Sequence, residues 1–165
     1  MTSSRLDKIK LLVFDFDGVF TDNRVLVLQD GREAVLCSRS DGLGIERLRE
    51  TGFPMVVLSS EKNPVVSARC RKLKLRCLQG HRQKLGILKQ EAVRSKVKLS
   101  EICYVGNDFN DIPCLQVVGL PVCVADAYPE VKRLSRWVLK NPGGHGAVRE
   151  VCDTFYFLRH KQEAR

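Results

Sequence analysis

Leu11-Leu12-Val13-Phe14-Asp15-Phe16-Asp17-Gly18-Val19-Phe20-Thr21-Asp22 (LLVFDFDGVFTD) is the stretch from which the fold follows. Four consecutive apolar residues, Leu11 to Phe14, predict a strand buried on both faces, and two carboxylates, Asp15 and Asp17, stand where it ends. Gly18 then permits a sharp turn. Such a strand belongs in a doubly wound sheet, where ligands bind in the crevice beyond the carboxyl ends of the strands. Residues two apart in an extended chain point the same way, so one carboxylate suits a nucleophile and the other a proton carrier. Loop aspartates are commonly turn formers or caps, and Asp30-Gly31 reads that way. Asp15 and Asp17 together, after an apolar strand and before Gly-x-x-Thr, read as a reactive pair.

Outward from this stretch, Val25–Leu28 and Ala34–Cys37 flank a polar Gln29–Glu33, the pattern of a hairpin. Placed just past the carboxylates, it suits a flap over the site or pairing with another subunit. Ser40 is the expected cap of a helix running through Ile45 and Leu48 to a stop at Gly52, and Pro54–Ser59 is a second buried strand. Asn63-Pro64 opens a helix to about Leu73, followed by a short strand near Cys77 and Leu78. Arg82–Val97 has Leu85, Leu88, Ala92 and Val93 at helical spacing, and Ile102–Gly106 is the next strand. Pro121–Ala125 and Trp137–Leu139 are further short strands. After Gly143–Gly146, a last helix from about Ala147 to Leu158 carries Val148, Val151, Phe155 and Leu158 as a core stripe, and Trp137 and the other aromatics read as core. Strands alternating with helices imply right-handed crossovers and a parallel α/β sheet.

Length and composition bound the rest. A chain of 165 residues, 44% apolar and 28% charged, suits one soluble domain that buries roughly 70% of its unfolded surface. The N-terminus has no signal-peptide apolar region, and no apolar run approaches the roughly 20 residues needed to span a membrane, so a cytoplasmic protein with no membrane partner is expected. Seven cysteines form no C-x-x-C pair and read as small buried hydrophobes rather than a zinc site or disulfide framework. The net charge of +9 suits nucleic acid or a small anionic substrate. Its basic clusters, Arg69–Arg76, Arg82–Lys98 and Arg159–Arg165, are interleaved with Leu and Val rather than exposed aromatics, and no nucleic-acid-binding motif is present. They read as solvated helix faces, with no nucleic-acid partner.

Three strand ends and one helix start carry polar groups of compatible chemistry. Ser59 closes the second strand, Lys84 stands early in a helix, and Asp108 and Asp111 lie beyond the strand ending at Gly106. Each has an ordinary reading alone: a strand-end cap, one of many cations, caps of the next helix. Their combination and order point to phosphate chemistry.

Asp15-x-Asp17, Ser59, Lys84 and Gly106-Asn107-Asp108-x-x-Asp111 resemble, in order, the four motifs of the haloacid dehalogenase (HAD) superfamily across nearly the whole chain. With no large inserted cap, the chain is similar to small tetrameric phosphatases that act on the 8-phosphate of the eight-carbon sugar acid KDO or the 9-phosphates of nine-carbon sialic-type acids. It is also similar to the related domain fused to some sialic acid cytidylyltransferases. Gly143–Glu150 resembles that group's glycine loop, and Arg24–Cys37 its interface hairpin.

The resemblance implies a Rossmann-like three-layer sandwich, one HAD domain over 1–165, with a hairpin at about 24–38 and a C-terminal glycine loop and helix at about 142–158. It implies that Asp15 attacks phosphorus to form an aspartyl-phosphate while Asp17 protonates the leaving oxygen and then activates water. Ser59 and Lys84 would neutralise the phosphoryl oxygens. Mg2+ would be held by Asp15, the Asp17 carbonyl, and Asn107 or Asp108. Asp111 would orient Lys84 or a metal-bound water. Ser60, Glu61, Lys72, Gly144 and His145 would contact substrate, and the protein would be a homotetramer. Glu61 and Lys72 resemble the nine-carbon branch and favour a 9-phosphate over KDO 8-phosphate. Three positions depart from the pattern: Asn107 replaces a metal carboxylate, Ser59-Ser60-Glu61 replaces Thr-Gly-Glu or Thr-Gly-Arg, and Gln83 replaces an Asp. Asn107 keeps open a second expectation, a weakly active or non-catalytic oligomerisation domain associated with a cytidylyltransferase.

Overall fold

The computed structural model describes residues 3–163, with side chains over 5–160. After a short helix α1 (Ser3–Leu6), strand β1 (Leu11–Phe14) is buried at every position, as its unbroken apolar run requires. A two-stranded antiparallel hairpin, β2 (Leu26–Val27) and β3 (Glu33–Ala34), follows it. Then come α2 (Arg39–Glu50), β4 (Met55–Leu58), α3 (Val65–Leu73), β5 (Arg76–Leu78), α4 (Lys84–Arg94) and β6 (Ile102–Gly106). The chain closes with α5 (Ile112–Leu115), β7 (Leu120–Cys123), α6 (Pro129–Leu134), β8 (Trp137–Val138) and α7 (Ala147–Glu163).

The six main strands form one parallel sheet in the order β5-β4-β1-β6-β7-β8. From β1 the chain steps outward to β4 and β5, then crosses back through α4 to β6 on the other side of β1. That reversal makes the end of β1 the switch point, where a parallel sheet opens a crevice. Helices α2, α3 and α7 pack together, and α4, α5 and α6 pack as another group, giving the three-layer α/β sandwich. Phe14, Leu58, Tyr104 and Val105 are completely buried in the sheet, and Ile45, Leu48, Val151 and Phe155 pack over it from α2 and α7.

The structure corrects several local expectations. Ser38, not Ser40, caps α2: it is extended and its hydroxyl accepts from Ser40 N, which leaves Ser40 inside the first turn. Val93 is 79% exposed because α4 buries Leu88 and Ala92, and Val93 falls outside that stripe. Phe109, Tyr128 and Phe157 are exposed rather than core, and Trp137 is only half-buried. The last helix runs on to Glu163, past the expected end near Leu158. Asn63 and Pro64 lead into α3, but Pro64 takes the cap position instead of the first turn, and Asn63 Oδ1, one residue before the cap, accepts from Val65 N at 3.1 Å. Five cysteines are buried and two half-buried, all as free thiols.

Candidate active site

Beyond Phe14 the chain leaves the sheet with Asp15 N still hydrogen-bonded to Val105 O (2.9 Å), so Asp15 is positioned by the sheet itself. The turn that follows is held from inside. Buried Thr21 Oγ1 accepts from Gly18 N (3.1 Å) and Asn23 N (3.2 Å). Gly18 has φ +76°, and a Cβ there would lie 2.0 Å from Asn107 Nδ2, so only glycine lets the β1 and β6 loops approach this closely. The glycine loop closes on the same turn: Gly144 N donates to Val19 O at 3.0 Å, and Gly143 is packed against Gly18 O and Thr21 O.

Lys84 joins the two loops from the start of α4. It is 2% exposed, with Nζ 2.7 Å from Asp15 Oδ1 and 2.8 Å from Asp111 Oδ1. Asp111 is wholly buried and also accepts from Tyr104 Oη (2.7 Å), Asn107 N (2.9 Å) and Asp108 N (3.3 Å). These donors, with Lys84, occupy both Asp111 oxygens. One ammonium therefore serves two buried carboxylates. Burial, with the Asp111 charge adding to it, pushes Asp15 up to about 8 despite Lys84 and the Phe16 amide. Burial alone would lower Lys84, but Asp15 and Asp111 more than offset it and hold Lys84 above its ordinary value. Asp17 is also raised, by burial first and then by Glu61, with Glu33 a smaller contributor.

Asp15, Asp17, Asn23, Ser60, Asn107, Asp108, Phe109 and Asn110 line a cavity of about 90 Å³. A larger groove of about 270 Å³ shares Asp17 and Asn23 and is walled by Val25, Glu33, Val35, Glu61 and Asn63. Ser59 is 1% exposed at the end of β4, where its hydroxyl accepts from Glu61 N (3.0 Å). Glu61 Oε1 accepts from Asn63 N (2.7 Å), and Asn63 Nδ2 reaches Glu33 Oε2 (2.9 Å), which ties the hairpin to the Ser59–Asn63 loop.

A cation fits this cavity chemically. Asn107 Oδ1 is buried and accepts no hydrogen bond, and both hydrogen bonds to Asp15 fall on Oδ1, leaving Oδ2 outside them. Two carboxylates and an amide oxygen beside one shared ammonium form a hard, oxygen-only donor set with surplus negative charge. Among the described residues no three carboxylate, imidazole or thiolate groups converge, so amide and backbone oxygens would have to complete the shell. The Asp108 carboxylate is turned onto Phe109 N at 2.6 Å, where it caps a short 3-10 turn.

The structure thus brings together Asp15, Asp17, Lys84, Asn107, Asp108, Asp111, Ser59, Ser60 and Glu61. Gly144 and His145 line a neighbouring groove with Asp22, Arg24, Leu36 and Ser38. Lys72 lies apart from both, between α2 and α3. Sequence reasoning missed Asn23, Asn110, Tyr104 and Glu33. Asn23 has φ +63°, a conformation that asparagine tolerates better than most residues, and that preference after Thr-Asp was the available signal. Tyr104 gave no signal, since a tyrosine inside an apolar strand reads as core.

Known proteins resemble this chain in sequence and fold. The family described as haloacid dehalogenase-like hydrolases matches residues 72–151. The 3-deoxy-D-manno-octulosonate 8-phosphate phosphatase of Escherichia coli K12 is 32% identical over 159 residues, 96% of this chain and 85% of that protein. A structure described as a HAD family hydrolase from Streptomyces avermitilis is 47% identical, with TM-score 0.87 over 91% of this chain and 86% of that one. The Moraxella catarrhalis 3-deoxy-D-manno-octulosonate 8-phosphate phosphatase, solved with a magnesium ion, a phosphate ion and KDO, is 26% identical with TM-score 0.92 over 98% and 94%. With Asp15 and Asp111 paired through one buried lysine at the switch point of the sheet, this chain belongs to the haloacid dehalogenase-like hydrolases.

Proposed function

We propose that the protein is a Mg2+-dependent phosphomonoesterase of a sugar-acid phosphate, acting through an aspartyl-phosphate. The observation that supports this most directly is Lys84 held between Asp15 and Asp111, with Asp15 lining an oxygen-rich cavity. Asp15 attacks phosphorus through a carboxylate oxygen, and the Lys84 ammonium and Ser59 hydroxyl stand where the phosphoryl oxygens gather charge. Asp17, raised by burial and by Glu61, holds a proton for the sugar oxygen as the ester bond breaks. It then takes one from the water that cleaves the acyl-phosphate. Asp15, the Asp17 carbonyl and Asn107 would hold Mg2+, with Asp108 the alternative ligand. Mg2+, when bound, would neutralise phosphate charge and permit Asp15 to ionise.

The groove beyond Asp17 is the place for the sugar. The relatives' substrate makes KDO 8-phosphate the first to test. Glu61 on this groove supports the nine-carbon reading, but Lys72 does not join it within one chain. Exposed Val25, Leu26, Val27 and Leu36 on the hairpin support self-association, with a homotetramer the expected form. The intact Asp15, Asp17, Ser59 and Lys84 favour an enzyme over a purely assembling domain. Phosphate release from KDO 8-phosphate and nine-carbon 9-phosphates, with and without Mg2+, tests the proposal. Release that needs both Mg2+ and Asp15 is expected. Full activity in a folded Asp15→Asn variant overturns the mechanism, and no release from any substrate overturns the substrate class.

A further inference from the structure

The turn that carries Asp17 and Asn23 is backed by the loop between β8 and α7, and one carboxylate on α7 holds that loop. Glu150, in the first turn of α7, gathers three N–H groups onto a single oxygen: Oε2 accepts from Lys140 N (3.0 Å), Asn141 N (3.0 Å) and Asn141 Nδ2 (2.9 Å), and Oε1 accepts from Lys140 N at 3.1 Å. Two successive backbone amides and a side-chain amide converging on one carboxylate fix the path of the chain as it leaves β8. Asn141 O in turn accepts from Ala125 N (3.1 Å), and Gly143 N donates to Asp126 Oδ1 (2.9 Å). The loop is thus pinned to α7 on one side and to the segment after β7 on the other.

Past Gly143 the loop meets the catalytic turn backbone to backbone. Gly144 N donates to Val19 O at 3.0 Å, and a Cβ at Gly144 would lie 2.6 Å from Asp22 N and 2.7 Å from Thr21 C. Such a close fit passes a shift of Gly143 or Gly144 directly to Val19–Asp22. Asp17 and Asn23 flank that segment, and both line the cavity and the groove described above. An acid in a first helical turn favours the helix dipole by its charge alone. Glu150 does more than that, because both of its oxygens are committed to Lys140 and Asn141.

We infer that Glu150 is a positioning residue for the phosphoryl transfer proposed above: through Lys140–Gly144 it fixes the turn on which Asp17 and Asn23 stand. Glu150 itself lines neither the cavity nor the groove. Its effect on turnover rests on the proposed phosphatase reaction, whereas its effect on the turn does not.

Glu150→Ala and Glu150→Gln in the full chain test this, at a temperature where every variant is folded. Glu101→Ala is the control, because Glu101 also accepts a backbone N–H (Lys98 N, 2.8 Å) and pairs with Lys10, but at the opposite end of β6 from the site. Hydrogen–deuterium exchange over residues 16–23 is measured beside kcat and KM for Mg2+-dependent phosphate release from KDO 8-phosphate. Glu150→Ala is expected to speed exchange in that turn about tenfold and to lower kcat about tenfold with KM nearly unchanged. Glu150→Gln, which keeps a carbonyl acceptor, should recover most of both, and Glu101→Ala should alter neither. Unchanged exchange in Glu150→Ala overturns the inference, as does a loosened turn with parental kcat. Glu150→Gln as loose as Glu150→Ala assigns the effect to charge rather than to the acceptor and overturns it too, and so does equal loosening in Glu101→Ala. No phosphate release from the parent overturns the phosphatase reading instead, and the exchange result then decides the positioning alone.

Discussion

Lys84 Nζ lies 2.7 Å from Asp15 Oδ1, with side-chain exposures of 1% and 5%, and the same nitrogen is 2.8 Å from Asp111. Without Lys84, two carboxylates face each other in a dry site. Lys84→Met is therefore expected to destabilise the protein by about 3 kcal/mol at neutral pH, the cost of breaking a buried ion pair from one side. It should also lower kcat by at least about 100-fold, as loss of a charge-stabilising donor does. Denaturant midpoints at several pH values and phosphate release check both. The stability loss should grow as pH rises through about 8, where Asp15 gives up its proton and the parent alone can pair the charge.

Tyr104 reaches Asp111 from below, through a 2.7 Å hydrogen bond inside the sheet. Tyr104→Phe removes one donor, while Asp111 keeps Lys84 and the Asn107 amide. A loss of about 1–2 kcal/mol in unfolding free energy is expected. The change in kcat should be far smaller than for Lys84→Met, because Lys84 stays in place.

Gly143 supports the catalytic turn from outside. A Cβ at this position would lie 2.0 Å from Gly18 O and 2.8 Å from Thr21 O, both rigid backbone. Gly143→Ala is expected to cost about 2–3 kcal/mol of stability by overpacking. It should cost at least about tenfold in kcat, because Asp15 and Asp17 sit on the displaced turn. Thermal midpoints and steady-state kinetics separate the two effects.

Asp41 ties the first turn of α2 to α7 by accepting from Arg149 N at 2.8 Å. It is 1% exposed, and burial pushes it up to about 6 despite that hydrogen bond and the charges of Arg69 and Arg149. The folded state therefore binds this proton more tightly than the unfolded chain. The associated stability is complete below the ordinary carboxylate pKa and is lost as pH rises through about 6. Asp41→Asn keeps an acceptor for Arg149 N and carries no charge. Relative to the parent, it should gain about 2 kcal/mol in stability between pH 4 and pH 8. Urea midpoints of both proteins at the two pH values measure it.

Much of this molecule is local in origin. The run Leu11–Phe14 had to be a buried strand, Asp15 and Asp17 had to stand at its end, and the alternation of apolar strands with helical stripes required a parallel sheet. Those features depend on chain geometry and on apolar periodicity, which a sequence displays directly. The motif order also placed Ser59, Lys84, Asn107 and Asp111 in the same crevice.

Tertiary structure alone decided how these groups divide their work. Which carboxylate Lys84 would pair with depended on where α4 begins relative to β1 and β6, and the answer was both Asp15 and Asp111. The raised Asp15 follows from burial and then from the Asp111 charge beside it, neither of which any spacing encodes. Likewise Tyr104 became a donor, Asn107 kept an unpaired oxygen and Lys72 turned toward another groove, because hydrogen bonding and desolvation depend on what long-range packing brings near.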